Sequence, residues 1–438
     1  MYTCFIFLPI TLCILIISFR NRKNIGIEFC SLLKISKENF IKRFKKAENY
    51  APWLESVFLK QLAKEDFAFL QEKLHKFQGF NIQKRVIRNY PIKSAANILG
   101  YINEVNELVA KKDNYYQQGE LIGKAGVEAQ YEKVLRGKKG KKYFRRDRFN
   151  KIKGPFKNGI YDSIAVNGKD ITLTIDSKLQ QYGEYLMKGK RGGIIALEPS
   201  SGEILALVTS PSYDPNMMVG RLRSPNSVKL IGDSINKPMY DRGLKGTYPP
   251  GSPFKLVNAL IGLQEDVIDE NTHFFCNGGY RYGNRKNEFM KCHCDIYGKP
   301  IQLNSAISKS CNSYFANTYK RIIEKNKNST SGMNTWSTHV KSFGLGNYLG
   351  YDLPEGDKGL IPNGDYYNRM YKHRWNASTN ISNAIGQGEV LTTPIQLANV
   401  TAAIANRGFF YTPHVVKKIN NQAIIDPSYT TPKHTTID

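Results

Sequence analysis

The sequence predicts a mixed α+β fold in which helices pack on an antiparallel sheet. Two short apolar runs, at 193–199 and 202–209, are separated by Ser200 and Ser201 and predict a β-hairpin. Apolar residues recur at helical spacing after Gly251, and also across 35–80 at Phe40, Phe44, Leu59, Leu62, Phe67 and Leu70. A hairpin followed by long helical patterns is typical of a sheet covered by helices.

Length and composition predict a globular protein of more than one domain. The chain has 438 residues, of which 41% are hydrophobic and 23% are charged. Residues 169–176 alternate apolar and polar side chains as a half-buried strand does, and we place a domain boundary near Ser177. The predicted organisation is a hydrophobic segment at 1–24, a helix-rich N-terminal domain at 25–176 and a larger domain at 177–438.

The first two dozen residues carry an apolar segment. Residues 2–19 are uncharged and long enough to cross a bilayer, which predicts a membrane anchor, with a cleaved signal peptide as the alternative. Arg20, Arg22 and Lys23 follow the segment, and this order would keep the bulk of the chain in the cytoplasm. For an extracytoplasmic protein we therefore expect either an unusual topology or a start that is not authentic.

The net charge is strongly positive. The chain has 63 Lys and Arg against 37 Asp and Glu, a balance of +26 that suits an anionic partner. Residues 132–153 hold eleven basic and two acidic side chains, interleaved with Tyr143, Phe144 and Phe149. No nucleic-acid fold signature accompanies this stretch, so we expect a solvated basic loop and no nucleic-acid partner.

A nucleophile and its base are predicted in the stretch Tyr248-Pro-Pro-Gly-Ser-Pro-Phe-Lys255. The Pro-Pro-Gly breaker precedes a helical pattern, so Ser252 opens a helix and Lys255 lies one turn away on the same face. Serine is a weak nucleophile unless a base lies beside it, and a lysine in a dry pocket can lose its proton and act as that base. The spacing alone is weak evidence, because Ser31-Leu-Leu-Lys34 matches it as well.

A second motif lies downstream. Ser310 and Asn312 form a Ser-x-Asn triplet that can relay a proton and hold a substrate amide. Ser-x-x-Lys followed by such a triplet, and then by Lys-Thr-Gly, is the serial signature of β-lactamases and penicillin-binding proteins.

Over residues 29–420 the chain resembles a class B penicillin-binding protein of the penicillin-binding protein 2 subgroup, in a Bacteroidetes-like form. The resemblance rests on the motifs above and on others in the same order. These are Gly126-Val-Glu128, Leu135-Arg-Gly137, Glu198-Pro-Ser-Ser-Gly-Glu-Ile-Leu205, Phe343-Gly-Leu-Gly346, Ile385-Gly-Gln-Gly-Glu389, Thr393-Pro-Ile-Gln-Leu-Ala398 and Pro413-His414.

The resemblance implies a pedestal or dimerisation domain followed by a β-lactamase-like transpeptidase domain. It implies a D,D-transpeptidase of cell elongation whose serine forms an acyl-enzyme with D-Ala-D-Ala stem peptides and with β-lactams. The implied partners are lipid-linked precursors, a SEDS-family glycosyltransferase and rod-complex scaffold proteins. The implied location is the inner membrane, with the catalytic domain in the periplasm.

The sequence departs from the family pattern at both ends. No Lys-Thr-Gly triplet follows Ser310, and the family's membrane anchor precedes the region where the match begins. We expect a chain truncated at both ends, without the last strands of the sheet and impaired in catalysis. The alternative is a non-catalytic cell-wall or elongation-complex fragment.

Four cysteines in the second half predict a bound metal or disulfides. Cys276, Cys292, Cys294 and Cys311 are soft ligands that could hold a tetrahedral Zn²⁺, with His293 as an alternative ligand. One or two disulfides, or free thiols, are the competing interpretations. Resemblance favours zinc, because relatives of this type can hold a structural zinc beside the active site through the cysteine inside the Ser-x-Asn motif, which is Cys311 here.

Overall fold

The computed structural model describes residues 10–14, 25–33, 35–50, 56–62, 64–77, 79–84, 88–117, 120–148, 152–220, 222–423 and 426–438. The predicted mixed fold is confirmed, with strands and helices alternating along the N-terminal part of the chain. Its strands are β1 (Ile10–Ile14), β2 (Ser56–Leu62), β3 (Phe80–Lys84), β4 (Ile102–Glu104), β5 (Leu121–Gly123), β6 (Phe144–Arg146), β7 (Ile152–Pro155) and β8 (Ile171–Leu173). Its helices are α1 (Ile25–Leu32), α2 (Lys37–Tyr50), α3 (Lys64–Lys73), α4 (Ala96–Leu99), α5 (Glu107–Lys112), α6 (Gly126–Gln130) and α7 (Glu132–Leu135).

A small sheet of order β2-β1-β3 builds the first core. Phe29 of α1 stacks on Phe80 and meets Phe58 edge-on, and all three rings are buried. The helices predicted around Phe40, Phe44, Phe67 and Leu70 are present, but the helical prediction is wrong at Leu59 and Leu62, which lie on β2. The period of so short an apolar run does not separate helix from strand, and pairing with β1 decides it here.

The predicted anchor at 1–24 lies mostly outside the described residues. The part that is described, β1, is the central strand of this small sheet. Among the described residues no helix is both long and apolar enough for a bilayer crossing.

The second half contains the predicted hairpin and the helices that cover it. Its strands are β9 (Gly192–Leu197), β10 (Ile204–Ser210), β11 (His273–Asn277), β12 (Gly279–Arg281), β13 (Phe289–Lys291), β14 (Tyr297–Gln302), β15 (Phe409–Phe410), β16 (Val416–Ile419), β17 (Gln422–Ala423) and β18 (Lys433–His434). Its helices are α8 (Ser177–Leu186), α9 (Arg223–Gly232), α10 (Phe254–Gln264), α11 (Leu303–Ser308), α12 (Asn312–Glu324), α13 (Ser329–Ser342), α14 (Gly364–Tyr371), α15 (Pro394–Ala405) and α16 (Pro427–Thr430).

Strands β9 and β10 pair antiparallel, as predicted, and helices α8 and α15 pack against them. Helices α10, α12 and α13 form the main core, where the Trp336 ring meets Phe254 and Tyr319 edge-on. Burial of such large aromatic side chains contributes much of the stability of a core.

A sheet and a buried carboxylate are among the features that join the two parts of the chain. Strand β8, which we placed in the N-terminal domain, pairs antiparallel with β16. Asp352 is 1% exposed and accepts hydrogen bonds from the backbone N–H groups of Val415 and Val416, at 2.7 and 2.9 Å. It also accepts one from the Tyr131 hydroxyl, at 2.7 Å. This carboxylate therefore fixes the N-terminal part against the larger domain that carries the site.

Candidate active site

The loop before Ser252 is held by a second loop of the same domain. Tyr248 and Thr392 exchange two backbone hydrogen bonds of 2.9 and 2.8 Å, and the Gly251 N–H donates to the Gly386 carbonyl at 2.9 Å. Gly386 has φ +67°, and a Cβ there would lie 2.4 Å from the Gly251 oxygen. The residue next to the nucleophile thus depends on a glycine 135 positions away (386 − 251).

Ser252 and Lys255 lie at the start of helix α10, as predicted. Pro253 is the N-cap of α10, and the Lys255 N–H donates to the Ser252 carbonyl at 3.0 Å, which closes the first turn. Ser252 is exposed, whereas Lys255 is only 3% exposed. The Ser252 side chain is therefore open to solvent, whereas the Lys255 side chain is withdrawn from water.

Ser310 links the two residues. Lys255 Nζ donates to Ser310 Oγ at 2.9 Å, and Ser310 Oγ donates to Ser252 Oγ at 3.1 Å. Lys255 Nζ also donates to the Ser310 carbonyl at 2.8 Å and to Asn312 Oδ1 at 2.6 Å. Each of the three ammonium hydrogens of Lys255 thus has an acceptor, and the Ser310 hydroxyl connects Lys255 with the Ser252 hydroxyl.

The surroundings of Lys255 favour loss of its proton. Burial lowers the pKa of its ammonium below the ordinary value, because the charged form is poorly solvated there. The nearby Cys292, Cys311 and Cys294 oppose this change in their thiolate forms. The acid–base character of the lysine therefore depends on the cysteines behind it.

Ser310 has an unusual backbone. Its φ is +51°, in the left-handed region that residues with a side chain rarely adopt. This conformation carries the chain from the end of α11 to the start of α12, where Cys311 is the N-cap. The turn places the Ser310 hydroxyl and the Asn312 amide on the same lysine.

The four predicted cysteines come together behind Asn312. Their sulfur atoms all lie within 4.8 Å of one another, and all four residues are buried. The Cys292–Cys311 and Cys276–Cys294 sulfur distances are 3.7 and 3.5 Å, too long for a disulfide bond. His293 is exposed and lies outside this cluster of ligand atoms.

The thiol cluster, Cys276, Cys292, Cys294 and Cys311, contacts the site directly. The Asn312 N–H donates to Cys292 Sγ at 3.2 Å, and the Asn312 side-chain amide donates to the Lys291 carbonyl at 2.8 Å. Burial raises the pKa of Cys292, but N–H groups that include those of Ser313 and Asn312 outweigh it and lower the pKa to about 7. The thiol cluster therefore positions the residue that binds Lys255.

Sequence reasoning missed the support behind α10. Asn258, one turn after Lys255, accepts from Trp336 Nε1 at 2.7 Å and donates to the carbonyls of Asn383 and Ala384 at 3.2 and 2.9 Å. Asn258 and Trp336 are fully buried. A polar residue on the apolar face of a predicted helix is the signal that could have identified this position.

Two protein families match this chain, and one of them covers the whole candidate site. Residues 192–437 match the penicillin binding protein transpeptidase domain, and residues 17–173 match the penicillin-binding protein dimerisation domain. The chain belongs to the penicillin-binding protein transpeptidase family.

Similar proteins point to one subgroup. The peptidoglycan D,D-transpeptidase MrdA of Acinetobacter baumannii is 34% identical over 390 residues, which cover 88% of this chain and 56% of that protein. The MrdA of Escherichia coli K12 is 30% identical over 349 residues, which cover 78% of this chain and 53% of that protein. The chain thus spans little more than half the length of these relatives.

Solved structures give the same picture. Penicillin-binding protein 2 of Pseudomonas aeruginosa is 31% identical with a TM-score of 0.63, over 80% of this chain and 70% of that chain. The protein of the same name from Helicobacter pylori, in complex with MreC, has a TM-score of 0.82 and 24% identity, over 98% of this chain and 77% of that chain. The second likeness concerns the fold alone.

Proposed function

We propose that this protein is a peptidoglycan D,D-transpeptidase of cell elongation that works through an acyl-enzyme on Ser252. The observation that carries the proposal is the hydrogen-bonded chain from Lys255 Nζ through Ser310 Oγ to Ser252 Oγ. A serine that faces the cleft and a buried amine joined through a hydroxyl are the parts that nucleophilic acyl transfer needs.

In the proposed reaction each residue has one role. Ser252 Oγ attacks the carbonyl carbon between the two D-alanines, and its proton moves through Ser310 to the neutral amine of Lys255. The proton then passes to the leaving nitrogen, the C–N bond breaks and terminal D-alanine departs. An amine from a second stem peptide attacks the ester, forms the new amide and releases Ser252. Asn312 holds Lys255 in place and offers an amide beside the substrate.

Labelling with a fluorescent penicillin tests this function. The parent chain should form a covalent adduct, and Ser252→Ala should abolish it, because β-lactams acylate the same hydroxyl. Ser31→Ala is the matched control, since Ser31 opens the other Ser-x-x-Lys pattern, and it should label like the parent. No adduct on the folded parent would support the alternative of a non-catalytic component of the elongation machinery.

We also propose that the thiol cluster holds a structural Zn²⁺. A tetrahedral ion with Zn–S bonds of about 2.3 Å needs sulfur atoms roughly 3.8 Å apart. The two sulfur distances of 3.7 and 3.5 Å suit this geometry, and each is well beyond the roughly 2.05 Å of a disulfide. The residues fit the ion, which would fix Cys292 and Cys311 on either side of the Asn312 backbone.

Metal analysis of the purified protein tests the zinc proposal without relying on activity. We expect about one zinc per chain, and clear loss of it in Cys311→Ala. His293→Ala should keep its zinc, because His293 is exposed and lies outside the cluster. Metal that is unchanged in Cys311→Ala would overturn the proposal.

We further propose that the protein acts at the inner membrane with its catalytic domain in the periplasm. Its substrates there would be stem peptides and lipid-linked precursors, and its partners a SEDS-type glycosyltransferase and a scaffold protein. The Helicobacter pylori neighbour, solved in complex with MreC, supports the scaffold partner. Cell fractionation followed by affinity purification of crosslinked complexes tests both points.

A further inference from the structure

One part of the N-terminal region has no core of its own. We call residues 138–167 the basic arm; strands β6 and β7 form its antiparallel hairpin, and backbone bridges join Lys138 to Val166 and Lys141 to Ser163. None of the described residues of the arm, which are all but 149–151, is buried. The arm is thus a ribbon exposed on both faces.

Large apolar side chains of the basic arm lie in water. Ile164 is 91% exposed, Ile160 79%, Ile152 55% and Phe144 48%. An isolated apolar residue on a surface is ordinary, but several within one thin ribbon indicate a surface that is covered in use.

The arm is also strongly basic. Its sequence has ten Lys and Arg against Asp147 and Asp162. Two of these cations have described ion pairs, Lys139 with Glu120 and Lys153 with Asp147. The excess of basic over acidic residues gives the arm a net charge of +8, which creates a positive field around its exposed apolar side chains.

The mixture of side chains identifies the kind of surface that would cover the arm. Seven of its ten basic residues are lysines, and lysine is depleted in protein–protein interfaces. Single-stranded nucleic acid stacks on aromatic rings, and the arm exposes Tyr143, Phe144, Phe156 and Tyr161, but its two most exposed apolar side chains are the aliphatic Ile160 and Ile164. Basic residues interleaved with apolar ones suit an anionic lipid surface, which attracts the cations and accepts the apolar side chains at its headgroup boundary.

We propose that the basic arm binds the surface of an anionic phospholipid bilayer. The proposal rests on the proposed location at the inner membrane, and it adds a membrane contact in the folded part of the chain. The arm would thereby fix the orientation of the N-terminal domain on the membrane. It plays no part in acylation at Ser252.

Vesicle co-sedimentation of the full chain tests this inference. The probes are vesicles of phosphatidylcholine alone and vesicles with about one third phosphatidylglycerol, at low salt and at about 1 M salt, where the Debye length shrinks to about 3 Å. The charge variant is Lys138→Gln with Lys142→Gln and Arg145→Gln, and the apolar variant is Ile160→Asn with Ile164→Asn. The matched control replaces three exposed lysines elsewhere, Lys229, Lys327 and Lys358, with glutamine.

The parent should bind the anionic vesicles more tightly than the neutral ones, and high salt should remove the difference. The charge variant should weaken anionic binding roughly tenfold to 100-fold, since each basic residue near such a surface contributes about one factor of five. The apolar variant should weaken it roughly tenfold, and the control should bind like the parent.

Two results would overturn the inference. One is a charge variant that binds anionic vesicles as tightly as the parent, which would assign binding to another part of the chain. The other is equal weakening by the arm variant and the control, which would show only a net-charge effect. Penicillin labelling at Ser252 in every variant separates failure of this inference from failure of the proposed enzyme.

Discussion

The two walls that position Lys255 are built in different ways. Helix α10 is supported from behind by Asn258, Trp336 and the core of α13, through buried hydrogen bonds and aromatic packing. Asn312, on the other wall, is supported by Cys292 and by the carbonyl of Lys291, within short strands around the thiol cluster. The first wall is an ordinary protein core, whereas the second depends on four sulfur atoms staying together.

This difference shows which part of the site depends on more than the fold itself. Packing of α10 needs nothing but the folded chain. The position of Asn312 depends on the geometry of the thiol cluster. Conditions that disturb these thiols should therefore change the contact between Asn312 and Lys255 but leave the packing of α10 unchanged.

The largest expected effect is at Asn312, whose side-chain oxygen contacts Lys255 Nζ. Asn312→Ala removes the acceptor that lies 2.6 Å from Lys255 Nζ and the donor to Lys291. We expect the rate of penicillin acylation to fall about 10²–10³-fold, because correct placement of an acid–base group contributes effects of this size. Asn304→Ala, on the exposed surface of α11, is the control and should label like the parent.

The core wall is tested by Asn258→Leu. The change leaves Trp336 Nε1 and the carbonyls of Asn383 and Ala384 without their described partner, at a cost of about 2–3 kcal/mol in the free energy of unfolding. Trp336→Phe should cost less, about 1–2 kcal/mol, since it keeps most of the ring in the core. Urea unfolding measures both losses of stability, and adding a metal chelator should leave them unchanged. A loss of stability that appears only in the presence of chelator would contradict the difference between the two walls.

The sulfur wall is tested by Cys276→Ala. Cys276 lies on β11 and is fully buried in the thiol cluster, so any effect on Lys255 must pass through the other thiols. Because Cys276 is one of the four proposed zinc ligands, we expect clear loss of bound zinc, as in Cys311→Ala. The acylation rate should fall about ten- to 100-fold, the usual size when a residue that only orients a site is altered. Cys30→Ala, a buried thiol of the small N-terminal core, should change neither quantity.

The smallest expected effect concerns the outer edge of the core wall. Glu265, just after α10, lies 2.9 Å from His339 Nε2 of α13 and 3.2 Å from Lys325 Nζ. Burial alone would raise the pKa of Glu265, but the hydrogen bonds from His339 and Lys325 outweigh it and lower the pKa below its ordinary value. A carboxyl with a lowered pKa stabilises the fold above its unfolded pKa of about 4.3, and this contribution fades as pH falls through the folded value.

Glu265→Gln should therefore cost about 0.5–1 kcal/mol in the free energy of unfolding near neutral pH. The difference from the parent should shrink as the pH falls below about 4. Unfolding curves over this pH range measure it, and a difference that grows on acidification would contradict the assignment.

The candidate site residues could be predicted because Ser252 with Lys255, and Ser310 with Asn312, form short motifs whose order resembles a family signature. Spacing alone does not bring the two motifs together, since 55 positions separate Lys255 from Ser310. The four cysteines were found by residue type. Their support was not predicted, because Asn258 and Trp336 are 78 positions apart and periodicity marks both only as core. Strand β2 was missed for a related reason, since its pairing with β1 is not visible in a short apolar run.

At Ser310 the backbone conformation favours glycine, whereas the contacts of the site need a serine side chain. A side chain at φ +51° costs on the order of 1 kcal/mol, and glycine would avoid that cost. The hydroxyl that glycine lacks is the one that joins Lys255 to Ser252. Ser310→Gly should therefore raise the free energy of unfolding while it slows the proposed acylation of Ser252.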